Sequence, residues 1–200
     1  MALIDKIARR LRTWLIRCAQ WHRVLFYRLI STNKVVGSFR RVQALQCAGT
    51  GVVSIDRVSI GVRESPFFLS TYAYLEARHP TAKISIGAGT RINNNFCAIA
   101  DHASIQIGRN CLIGANVEIL DSDFHGLAVE DRGTSLAEWA QPVSIDDNVF
   151  IGSNVRIMKG VTIGNGSIIA NGSVVTRSVE AGVIAGGNPA KILKVIATRV

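Results

Sequence analysis

The chain has few of the bulky rings that commonly fill a core of its size: seven Phe, three Trp and three Tyr, against 18 glycines. That balance argues against a helical bundle and points to many turns around small aliphatic side chains. Cysteine is sparse too. Cys18, Cys47, Cys97 and Cys111 form no CxxC pair and show no zinc-ligand spacing, so free thiols in a reducing cytosol are expected. No apolar run reaches the roughly 18 residues of a membrane span. Arginines interrupt every apolar stretch near the N-terminus, so a cleavable secretion signal is not expected either. Acidic residues are nearly missing from the first 41 positions, where ten Lys or Arg accompany a single acid, Asp5. That segment is therefore +9, whereas residues 42–200 carry 13 bases and 13 acids. With a neutral body, a basic-groove nucleic-acid function loses its support and no nucleic-acid partner is expected.

What is present falls into three segments. Residues 1–41 read as a basic amphipathic helical segment. Ile4, Ile7, Leu11, Trp14, Leu15, Cys18, Trp21, Leu25 and Phe26 recur at helical spacing, with arginines on the other faces. Such a helix suits an anionic membrane surface through residues 1–30, or packing against the body or its copies in an oligomer. Residues 42–185 carry a six-residue beat, clearest at Ile145, Ile151, Ile157, Ile163, Ile169 and Val175, with an earlier run at Ile86, Ile92, Ile107, Ile113 and Ile119. A short fixed period is the signature of a solenoid. One extended stretch plus one tight turn uses six residues, and three such units make a triangular coil with each aliphatic pointing inward. The fold expected is thus mainly β, a parallel β-helix preceded by a helical segment. Residues 186–200 form a C-terminal capping segment, opened by Gly186–Pro189.

Two irregularities stand out. The frame slips between Ile92 and Ile107, and the stretch ILDSDFHGL opens a polar loop, 121–142, in which the beat stops. His125 in that loop has the chemistry of a general base, since unperturbed imidazole titrates near pH 6.5. Asp121 or Asp123 is placed to orient its ring. His102 is the competing histidine, whereas His22 and His79 read as surface residues. A zinc site needs three convergent imidazoles, and no close His pair exists in the sequence, so no metal is expected.

The order of these features (INNNFCAIADHASIQIGRNCLIGANVEI, a loop with DFH, PVSIDDNVFIGSNVRIMKGVTIGNGSIIANGSVV, then AGGNPAKILK) resembles the hexapeptide-repeat acyltransferases over roughly residues 50–196. Within that family the chain is similar to the branch that O-acetylates surface polysaccharides or lipopolysaccharide, on the segment YAYLEARHPTAKISIG and the basic N-terminal helix. The resemblance implies left-handed coils, a homotrimer with active sites between subunits, and His125 as general base. It also implies acetyl-CoA as co-substrate without a metal. Asn94 matches a family asparagine that touches the acceptor. For coenzyme A it implies Gly152, Ser153 and Asn171 along the slot, Thr176 and Arg177 nearer the nucleotide, and Lys191 and Lys194 beside the phosphates. Phe150 stands where the family often has Trp.

The resulting expectation is a cytoplasmic acetyl-CoA-dependent O-acetyltransferase, peripheral at the inner membrane face, acting on a glycan or a lipid-linked sugar. Two alternatives remain open at this stage. One is N-acetylation of an amino-sugar nucleotide, and the other is a non-catalytic trimeric β-helix adaptor.

Overall fold

A six-residue unit has room for only two or three extended residues, so its strands are short and depend on the coils above and below for backbone partners. The computed structural model, which describes residues 2–197, has this arrangement. Met1 and residues 198–200, the outer ends of the first and last expected segments, lie outside the described residues. Three flat faces of parallel strands enclose a narrow core. On the first face Ile55, Ile86, Ile107, Ile145 and Ile163 stack in register. On the second the column is Ile60, Ile92, Ile113, Ile151, Ile169 and Ala185. On the third it is Cys47, Leu75, Ala98, Ile119, Ile157 and Val175. All of these side chains are buried. Each large aliphatic contributes roughly 1.5–3 kcal/mol by leaving water, which no isolated coil could achieve.

The corners need a backbone turned to positive φ, and the sequence supplies asparagine or glycine there. Between the second and third faces, Asn95, Asn116 and Asn154 adopt φ of 60°, 58° and 59° in successive coils. Their side chains form a ladder: Asn95 Nδ2 donates to Asn116 Oδ1 at 2.7 Å, and Asn116 Nδ2 to Asn154 Oδ1 at 2.8 Å. Short polar side chains tolerate this conformation and can bond their stacked copies at the same time.

The two sequence irregularities turn out to share one corner, that between the third and first faces. In the regular coil Ile157 and Ile163 are six residues apart, but Ala98 and Ile107 are nine apart and Ile119 and Ile145 are 26 apart. Leu75 and Ile86, one coil earlier, are separated by 11. The frame slip and the loop are therefore successive outgrowths of a single edge.

The helix is one continuous element, Ala2–Leu29, and residues 35–41 differ from the expected helical segment. Val35–Arg41 is a strand, paired parallel to Val52–Ile60, so the sheet takes up the end of the basic segment. At the far end Val183–Gly187 continues the second face, and Ala190–Val195 turns back antiparallel along it. This hairpin covers the last parallel edge with its own strand.

Candidate functional site

Because three coils bulge at the same corner, their polar residues stack on one another there. Asp101 lies at the centre with its side chain fully buried. It accepts hydrogen bonds from Arg78 Nη1 at 3.1 Å and from Ser135 Oγ, in the loop, at 2.7 Å. His79 and His102 flank it as a parallel stack with ring centroids 3.8 Å apart, and their Nε2 atoms lie 3.8 and 4.0 Å from its oxygens. Sequence reading missed this cluster. It took His79 for a surface residue and saw no close His pair, because the 22 residues between His79 and His102 hide one turn of the prism. The ligand atoms of His79, Asp101 and His102 lie within 4.8 Å of one another, but Arg78 occupies the same carboxylate, an arrangement suited to an ion-pair network more than to a cation.

His125 projects from the loop just outside this cluster and is exposed. Its predecessor Phe124, at φ 64°, lies under the Arg78 guanidinium at 4.7 Å, which ties the start of the loop to the network. Nδ1 of His125 is 3.0 Å from the carbonyl oxygen of Gly126. A carbonyl only accepts, so Nδ1 carries a proton, and in the neutral ring Nε2 is then the nitrogen with the lone pair.

The carboxylates expected to orient His125 do other work. Asp121 is buried and accepts from the backbone N–H groups of Asp101 and Ala103 at 2.7 and 2.8 Å. Burial pushes its pKa up, against the opposing effect of those two donors. Asp123 pairs with Lys159 Nζ at 2.6 Å, and the same ammonium donates to the Trp139 carbonyl at 3.0 Å. Lys159 thereby joins both arms of the loop to the coil beneath. Gln141 N–H closes the loop on the Asp121 carbonyl at 2.7 Å.

Asn94, expected at the acceptor, is fully buried at the opposite edge of the third face. Its Oδ1 accepts from Val62 N–H at 3.0 Å, and its Nδ2 donates to the carbonyls of Val62 and Pro66 at 2.8 and 2.9 Å. These bonds commit the amide nitrogen and one lone pair of the oxygen to pinning the segment 61–72.

The residues expected along coenzyme A divide between two corners. Gly152, Ser153 and Asn171 lie between the second and third faces. There Ser153 N–H donates to Asn171 Oδ1 at 2.7 Å, and Ser153 Oγ accepts from Ala115 N–H at 3.1 Å. Gly152 must be glycine, since a Cβ there would sit 2.4 Å from Asn171 Oδ1 and 2.7 Å from Asn171 N. Thr176 and Arg177 lie at the His125 corner, two coils below the loop, and Lys191 and Lys194 are on the terminal hairpin. Arg177, Lys191 and Lys194 are exposed and take part in no ion pair among the described residues, so they fit phosphate groups.

Comparison with known proteins bears on the whole fold. The family described as bacterial transferase hexapeptide (six repeats) matches residues 142–177, and the hexapeptide repeat of succinyl-transferase matches residues 104–132. A Dictyostelium discoideum relative is 40% identical over 128 residues, 62% of this chain and 65% of that one. A polysialic acid O-acetyltransferase of Escherichia coli is 39% identical over 113 residues, 56% of this chain and 36% of that one. This chain thus spans less than two thirds of each of these relatives. The crystal structure of a hexapeptide-repeat-containing acetyltransferase from Vibrio cholerae superposes with a TM-score of 0.55 at 27% identity, covering 90% of this chain and 82% of that one. A structure of that Vibrio protein complexed with acetyl coenzyme A gives a TM-score of 0.54 at 26% identity, over 92% of this chain and 88% of that one. With these neighbours the three-faced parallel prism fits a left-handed β-helix.

Proposed function

We propose that this chain, which is similar to the hexapeptide-repeat, left-handed β-helix transferases, is an acetyl-CoA-dependent O-acetyltransferase with His125 as general base. The observation that carries the reading is the His125 Nδ1–Gly126 carbonyl bond, which makes Nε2 the basic nitrogen of the neutral ring on an exposed loop residue. Acetyl-CoA supplies an activated acyl carbon as its thioester. Nε2 takes the proton of an acceptor hydroxyl as that oxygen attacks the carbonyl carbon. An O–C bond forms, the C–S bond breaks, and the proton passes from the imidazolium to the departing thiolate. A placed base of this kind contributes roughly 10²–10⁴-fold. No nucleophile from the chain is needed.

A glycan acceptor is supported by the polysialic acid O-acetyltransferases among its relatives. The division of the coenzyme residues between two corners supports a homotrimer. In one chain Gly152–Asn171 and Thr176–Arg177 lie at opposite edges of the third face, whereas a cleft between neighbouring copies can place one edge of each chain along a single ligand.

The deciding experiment follows thiol release from acetyl-CoA with a panel of sialylated and neutral glycans, for the chain and for His125→Ala. Because His125 is exposed, the variant keeps its fold, checked by circular dichroism, and loses at least a hundredfold in turnover. Undiminished turnover in the variant would remove His125 from the mechanism. Absence of acetyl-CoA binding by the unaltered chain would remove the enzyme reading itself.

A further inference from the structure

The N-terminal helix is amphipathic, but it is docked the opposite way round from an ordinary surface helix. Its polar side holds the body. Gln20 Nε2 donates to the Val42 carbonyl at 3.0 Å, Arg23 donates to the carbonyls of Phe68 and Thr71, and the Tyr27 ring stacks on Tyr72 at 4.2 Å. At 3.6 residues per turn, Ile4, Ile7, Leu11, Trp14, Leu25 and Leu29 fall on the opposite side. That stripe faces solvent: Trp14 is 59% exposed, Leu11 54% and Leu29 74%. A contiguous apolar surface of this kind marks an interaction site.

Charge identifies what covers it. Helix residues 2–29 hold Lys6, Arg9, Arg10, Arg12, Arg17, Arg23 and Arg28 against Asp5 alone, a net +6. Pairing two such helices through the stripe would bring arginine flanks together with no acidic partners along the seam. An anionic surface supplies the missing charge.

A second observation lies where the helix ends. A cavity of about 380 Å³ is lined by Arg28, Lys34 and Arg41, with Ser31, Asn33 and Phe39, and has no carboxylate in its wall. Among the described residues, Nε of Arg41 is the one buried side-chain nitrogen or oxygen without a hydrogen-bond partner. Burial, and then the neighbouring Arg28, hold the Arg41 pKa below its usual range. Three cations around an orphaned donor make a site for a phosphate.

We infer that the helix is a docking surface for an anionic phospholipid membrane, with its apolar stripe lying in the headgroup region and a lipid phosphate seated between Arg28, Lys34 and Arg41. This stands apart from acetyl transfer, because none of these residues belongs to the loop corner.

The test is flotation of the full chain with phosphatidylcholine vesicles, with and without phosphatidylglycerol, together with tryptophan emission. Binding is expected only with phosphatidylglycerol, accompanied by a blue shift. The double variant Leu11→Gln, Trp14→Gln should abolish it. Arg41→Gln should weaken it about fivefold, corresponding to about 1 kcal/mol for one cation at the surface, while leaving the emission shift of the bound fraction. No flotation with either vesicle overturns the inference, as does unchanged flotation of the double variant. A rise in melting temperature with inorganic phosphate but no flotation would assign the cavity to a soluble phosphate instead. If the double variant changed the molecular mass in solution and the unaltered chain did not float, a second copy would be the occupant and the membrane reading would fall.

Discussion

His79 and His102 stack face to face, 3.8 Å between ring centroids, although 22 residues separate them in sequence. Both rings point toward Asp101, whose carboxylate also holds Arg78 and the loop residue Ser135. Asp101 is thus the joint between the prism and the loop that carries His125. Replacing Asp101 with Ala leaves Arg78 without one of its two acidic partners and releases Ser135. The expected loss is about 3 kcal/mol, the scale for breaking a buried ion pair. Urea denaturation measures it, and a loss below about 1 kcal/mol would mean that Glu76 alone satisfies Arg78.

Asp123 and Lys159 act as a single clamp on the loop. Asp123→Asn and Lys159→Met should each lower turnover, roughly tenfold for a misplaced base, and the double variant should lose little beyond either single one. Multiplying losses would show that the two side chains work separately. A thermal melt run in parallel separates loop loosening from global unfolding.

Asn94→Ala should behave as a structural lesion. It orphans Val62 N–H and two carbonyls of the segment 61–72, at about 2–3 kcal/mol for buried groups left unpaired. The KM for acceptor in the surviving folded fraction should be unchanged. A raised KM at unaltered stability would return Asn94 to the acceptor site.

At the corner ladder, Asn116→Gly should destabilise less than Asn116→Ala. Both remove the bonds to Asn95 and Asn154, but only alanine is also forced into φ near 58°. That conformation adds roughly 1 kcal/mol for a residue with a Cβ. Equal losses would place the whole value of Asn116 in its side-chain bonds.

Stability should fall as the solution becomes alkaline. Burial pushes the Cys47 thiol up to about 11; burial, then Glu118 and Glu76, push the Cys97 thiol up to about 12. In the unfolded chain both thiols titrate near 8.5, so above that pH the unfolded state loses protons first. The folded state binds more protons, and stability declines as pH rises from about 9 toward 11, by at most about 1.4 kcal/mol per pH unit for each thiol. Denaturation midpoints across that range for the chain and for Cys97→Ala should differ in slope, the variant being flatter. Identical slopes would mean that Cys97 ionises as freely in the fold as in solvent.

The six-residue beat was readable because every inward position faces the same narrow core and every corner imposes the same backbone demand. Ile145 through Val175 could therefore be assigned from spacing alone, and the interruption at 121–142 located His125. The presence of the helix was legible for a similar reason, since apolar periodicity reports a helix face wherever that face ends up, although the expected segment ran on to residue 41 over what is a strand. Spacing carried no information about which parts of different coils meet. That Asp101, His79, His102 and Asp121 share one edge depends on how many residues each coil spends at that corner. Asn94 went to the segment 61–72 because that segment folds over the end of the second face and needs its buried backbone satisfied. The helix turned its apolar stripe outward because Gln20, Arg23 and Tyr27 found partners on the body, and only tertiary contacts decide which side of an amphipathic helix does so. Local periodicity determines elements; the pairing of polar groups across coils, where an unsatisfied bond is costly, determined the site.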